Sequence, residues 1–142
     1  MLVLPQVALI ALLATAAPQV VAPYEEVLSC HARLLALHAF ANDQLEAAQA
    51  ENDEALFDDW AGELDRLEEQ GGEARDALGA VAATRQRSLT QAIDEAAEIG
   101  RGRLDRLREA PSASAARLEY RALATDWDDC RFATGLNRRP AS

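Results

Sequence analysis

The chain has 142 residues, with 24 acidic side chains against 14 basic ones and a net charge of −10. Every basic residue is arginine, which excludes lysine Schiff-base chemistry and a P-loop lysine. The acidity argues against a nucleic-acid partner, because phosphates need a basic surface.

Residues 1–22 come first. Val7 to Ala17 is an uncharged apolar run between Pro5 and Pro18, long enough for the apolar region of a signal peptide and too short to span a bilayer. Val20-Val21-Ala22 supplies a small-residue cleavage site, and Ala14-Thr15-Ala16 a second one. The leading Met1–Gln6 lacks the usual basic residue. The expectation is a signal peptide over 1–22, with a membrane anchor extended through Val21 as the alternative. Cys30 follows Val27-Leu28-Ser29, which is similar to a lipidation site, but Glu25 and Glu26 stand where such a site needs apolar residues.

The rest reads as an all-α protein, since Ala, Leu, Glu and Arg dominate and no run has a strand pattern. The bundle is expected over 23–136, followed by a flexible tail over 137–142. A first helix runs from Tyr24 to Ala41, with Val27, Cys30, Leu34, Leu37 and Ala41 on one face. Asp43 and Glu46 have the spacing of a capping box and predict a new helix from there. That helix carries Leu45, Ala48, Leu56, Trp60, Leu64 and Leu67 inward, and Gly71-Gly72 predicts its end. A third helix is expected from Glu73 to Glu109, weakened or bent at Gly100-Arg101-Gly102 and stopped by Pro111. A fourth starts after Ser112-Ala113-Ser114 and ends at Gly135, with Ala116, Tyr120, Leu123, Trp127, Cys130 and Thr134 on one face.

Cys30 and Cys130 are the two cysteines, and both fall on apolar stripes. No C-x-x-C pattern supports zinc or thioredoxin-like chemistry, so with an export signal the expectation is one disulfide between them. It would close a loop of 100 residues, worth up to about 4.7 kcal/mol by chain entropy. The crosslink also selects a topology. If Tyr24 to Glu69 were one rod, helix rise would leave the two cysteines about 30 Å apart, beyond the ~7 Å a disulfide allows. A break at Asn42-Asp43 brings them to within about 10 Å. The expected fold is therefore a small antiparallel, up-down-up-down four-helix bundle, the alternative being a long helical hairpin with a third, shorter helix.

Charge is uneven along this bundle. Asp43 to Glu69 holds eleven acids and one base, Arg66, while Arg101, Arg103, Arg106 and Arg108 crowd together downstream. Intramolecular pairing between the two is one expectation, and an acidic docking surface for a basic partner is the other.

No catalytic, cofactor or metal residues are assigned. His31 and His38 stand seven positions apart, about 10 Å along a helix, too far for one metal ion. No Glu-x-x-His, haem-attachment, Gly-x-Ser-x-Gly or glycine-rich phosphate motif occurs. Asp58-Asp59-Trp60 and Asp126-Trp127-Asp128-Asp129 look alike, but both tryptophans fit core positions and leave their acids to solvent. The functional expectation is a periplasmic or secreted helical protein acting by protein–protein interaction, not an enzyme. The alternatives are a small-ligand or metal carrier using the bundle interior, and a membrane-anchored structural protein.

Overall fold

The structure is a computed structural model that describes residues 22–137. The expected signal peptide therefore lies outside the described residues except for Ala22, as does the tail beyond Asn137. The described residues form four helices and no strand: α1 (Tyr24–Ala50), α2 (Glu54–Ala83), α3 (Leu89–Arg108) and α4 (Ala113–Ala133).

Two of the three turns fall later than punctuation in the sequence suggests. α1 runs through Asn42-Asp43, because its buried stripe of Val27, Cys30, Leu34, Leu37 and Ala41 continues to Ala48. Asp43 caps nothing. Its carboxylate accepts from Nε and Nη2 of Arg108 on α3, at 2.7 and 3.2 Å. The helix ends where Asn52 turns left-handed, at φ 55°, a conformation that asparagine tolerates better than most residues. The Asn52 and Asp53 N–H groups then close back onto the Gln49 and Ala48 carbonyls. Asp53 caps α2 by accepting from the Leu56 N–H at 3.1 Å.

α2 passes straight through Gly71-Gly72. Its buried residues Trp60, Leu64, Leu67, Gly71, Ala74, Leu78 and Ala82 keep an unbroken three-and-four spacing, with Gly71 as one member. Tertiary packing of this face outweighs the propensity that two glycines cost. The expected segment Glu73–Glu109 is thus divided: its beginning completes α2, and its remainder is α3. Between them Gln86 takes φ 58°, and the Arg87 N–H returns to the Ala82 carbonyl. A capping box opens α3, with Ser88 accepting from the Gln91 N–H while the Gln91 side chain accepts from the Ser88 N–H. α4 begins as expected, with the Ser112 hydroxyl accepting from the Ala115 N–H.

α1 is the central element and packs on the other three. Phe40 meets Trp60 while Leu34 meets Gly71, so α2 runs antiparallel to α1. Tyr24 meets Glu95 and Asp43 meets Arg108, so α3 runs parallel to it. Phe40 meets Tyr120 while Cys30 meets Cys130, so α4 is antiparallel again. This is the up-down-up-down bundle. The tightest seam lies between α1 and α3, where Ala92, Ala96 and Gly100 of α3 are buried. A Cβ at Gly100 would stand 2.7 Å from the carbonyl oxygen of Ala32. Gly100 is therefore a point of close helix approach, not a bend, and α3 is continuous across it.

Candidate functional site

Cys30 and Cys130 are joined as the stripes require, with Cα atoms 5.8 Å apart across a separation of 100 residues. The crosslink ties α1 to α4 beside Trp127, which is fully buried and donates from Nε1 to the Gln70 side chain at 2.8 Å. Asn137 was expected to begin a flexible tail. It is buried instead, and its side-chain amide donates to the Gln70 carbonyl at 3.2 Å.

The two acid–tryptophan stretches do not meet in one site. Trp60 packs edge-on against Tyr120 and Phe40, with ring centroids 5.2 and 6.1 Å away, while Trp127 lies about two helical turns further along α4. Asp58, Asp59, Asp126 and Asp129 face solvent, and Asp128 accepts from Arg131 at 3.1 Å. Among the described residues no group of three His, Cys, Asp or Glu side chains is placed to hold a metal ion.

Three polar features were not legible in the sequence. The first is Tyr120, whose hydroxyl donates to Glu63 at 2.8 Å while Arg66 donates to the same carboxylate at 2.8 Å. Burial and then the Glu63 carboxylate hold the Tyr120 phenol well above its ordinary range. The Arg66 hydrogen bond, chiefly, holds the Glu63 carboxyl below its own. The second is His31, only 2% exposed, with no partner at Nδ1 among the described residues. Burial, aided by the Arg75 charge, lowers its pKa to about 4, so it is neutral at physiological pH. His38 is half-buried and lies 3.6 Å from Glu68. Both histidines line a cavity of about 210 Å3 with Leu34, Leu67 and Arg75. The third is a groove of about 410 Å3 between α3 and α4, lined by Arg103, Arg106, Leu107, Glu119, Leu123 and Asp126.

The charged surfaces pair less than their proximity suggests. Arg108 reaches Asp43, Arg101 pairs with Glu98 on its own helix, and Arg103 and Arg106 form no ion pair among the described residues. On α2, Glu54, Asp58, Asp65, Glu69 and Asp76 recur at intervals of four and seven, which places them in one exposed stripe opposite the buried face. None of the five has a cationic partner among the described residues. Gly62 and Gly72 leave the same strip open, with nothing within 4 Å of where a Cβ would stand.

No protein family, curated protein or solved structure matches the chain.

Proposed function

We propose that the protein is an exported, non-enzymatic interaction module, and that it recognises a basic segment of a partner protein along the outer face of α2. The uncompensated acidic stripe carries this reading. Acids four apart on a helix repel each other and reduce its stability by a few tenths of a kcal/mol per pair. Glu54–Asp58 and Asp65–Glu69 are two such pairs, and no arginine is placed to relieve them. A partner with matched arginines or lysines would relieve them and would associate at a rate that falls with added salt. The disulfide and the apolar run over residues 7–17 support an oxidising, extracytoplasmic setting. No helix among the described residues is long and apolar enough to cross a membrane.

The test is photocrosslinking from Gly62 and from Gly72 in the full chain in its native host. Adducts are expected from both positions. They should weaken in high salt and disappear when Asp58, Asp65 and Glu69 are neutralised together. Adducts of equal yield in the neutralised variant, or from a probe at Ile99 on α3, would refute the assignment. Intact mass with and without reductant before alkylation checks export and the crosslink together.

A further inference from the structure

Arg33 Nε, Arg103 Nη1 and His31 Nδ1 are sealed from solvent without a hydrogen-bond partner among the described residues. The two arginines are only half-buried, whereas His31 is 2% exposed and lines the cavity of about 210 Å3 to which α1, α2 and α3 all contribute. The second ring nitrogen of His31, Nε2, also makes no hydrogen bond among the described residues, but it is not sealed. What remains accessible of this ring lies on the cavity wall, so Nε2 is the atom a bound molecule can reach. Burial keeps the ring neutral at physiological pH, and a neutral imidazole carries one donor and one acceptor. A polar atom held out of bulk water without a partner is costly, and a bound group that hydrogen-bonds to Nε2 removes part of that cost.

The rest of the lining selects the class of molecule. Leu35 and Ile93 are half-buried, so each keeps accessible hydrocarbon on the cavity wall. Gly71 adds no side chain, and a Cβ there would meet Leu34 at 3.5 Å, an ordinary contact. The charged lining is one arginine, Arg75, and one carboxylate, Glu68. These sum to zero, and both side chains are exposed, so the lining selects no ion. A volume of about 210 Å3 falls below the ~300 Å3 at which sites for drug-sized ligands begin, and suits a single ring or a short chain. A hydroxyl serves Nε2 in either tautomer, because it both donates and accepts. We propose that this cavity binds a small uncharged hydroxyl compound, with phenol as its simplest aromatic form, the hydroxyl on His31 Nε2 and the ring against Leu35 and Ile93. Gly71 and Leu67 place the cavity on the buried side of α2, opposite the acidic stripe, so either assignment can fail without the other.

Phenol titrated into the oxidised full-length protein is the direct probe, read by calorimetry and by the ring-nitrogen resonances of His31. Saturable binding and a shift of those resonances are expected. Benzoate, the charged analogue, should bind about tenfold or more weakly, since its carboxylate would be buried beside an uncharged ring. Toluene separates the contribution of the hydroxyl from that of the ring. The ratio of phenol to toluene affinity should fall about tenfold in His31→Leu, which keeps the wall apolar and removes the partner. Gly71→Ala places a methyl on the cavity wall and should weaken phenol severalfold, whereas Gly72→Ala, with nothing within 4 Å of its Cβ, should not. Should His31→Leu fail to fold, the His31 resonances of the unmodified protein and the two glycine variants still decide. Absence of saturable phenol binding, unmoved His31 resonances, benzoate binding as tight as that of phenol, an unchanged phenol-to-toluene ratio in His31→Leu, or equal effects of Gly71→Ala and Gly72→Ala would each overturn the inference.

Discussion

Gly100 and Gly102 sit two positions apart on α3, and alanine should act on them with opposite sign. At Gly102 nothing lies within 4 Å of the position a Cβ would take. Gly102→Ala therefore adds helix propensity alone, about 1 kcal/mol of stability. At Gly100 the same gain meets an obstacle: the Cβ would stand 2.7 Å from the Ala32 carbonyl oxygen and 3.4 Å from its carbon. These are backbone atoms of the central helix and cannot rotate away, so α1 and α3 must move apart by more than half an ångström along a seam packed with alanines. Overpacking of this kind costs about 1–3 kcal/mol, which leaves a net loss near 1 kcal/mol after the propensity gain. At roughly 4 °C per kcal/mol for a domain of this size, Gly102→Ala should melt about 4 °C above the unmodified protein and Gly100→Ala about 4 °C below it. Thermal denaturation followed by circular dichroism under oxidising conditions measures both. Equal stabilisation by the two substitutions would show that α1 and α3 do not touch at Ala32, and the parallel α1–α3 seam would be wrong.

Three further outcomes follow from the buried chemistry. The double change Cys30→Ala with Cys130→Ala should lower stability by up to about 4–5 kcal/mol, with reductant lowering the unmodified protein similarly and leaving the variant unmoved; denaturant titration with and without reductant checks it. His31 binds a proton near pH 6.5 when unfolded and only near pH 4 when folded, so its contribution is complete above about 6.5 and is lost as pH falls toward 4. The loss is on the order of 3 kcal/mol, and His31→Leu should flatten the stability profile across that window in urea titrations run at successive pH values. Tyr120→Phe removes the 2.8 Å bond to Glu63 but leaves Arg66 in place on that carboxylate, so a loss of about 1–2 kcal/mol is expected in the same assay.

The inward faces were legible because burial follows periodicity. Val27, Cys30, Leu34, Leu37 and Ala41 are all buried, as are Tyr120, Leu123 and Trp127. The turns were less legible because local punctuation competes with that periodicity. Asp43-x-x-Glu46 has capping-box spacing, but the stripe continues to Ala48, and Asp43 is held by an arginine 65 residues away. Gly71-Gly72 would be a strong stop if exposed, yet Gly71 is buried on the face that packs against Leu34, and the helix continues through it. The true stops carry weaker signals. Ser88-x-x-Gln91 is a capping box visible in the sequence, whereas nothing local marks Gln86 as left-handed. Arg33, Arg103 and His31 were beyond reach of sequence alone, because an orphaned donor is defined only once every neighbour is in place.

That the topology was recovered despite two misplaced turns has a geometric reason. In an alternating bundle, moving one turn by a residue displaces everything beyond it by two helix rises, about 3 Å, and the next turn acts with opposite sign. The first turn lies about nine residues later than Asn42-Asp43 and the second about thirteen later than Gly71-Gly72, so the displacements are roughly +27 and −39 Å and largely cancel. Cys130 consequently stays within about 10 Å of the level of Cys30 along the bundle axis in either arrangement, a residue that tilt and loop length absorb. The disulfide thus constrains the difference between turn positions, not each turn separately. It requires the ascending and descending helix lengths between Cys30 and Cys130 to balance, and leaves where the chain reverses to the packing of Gly71, Ala48 and Gly100.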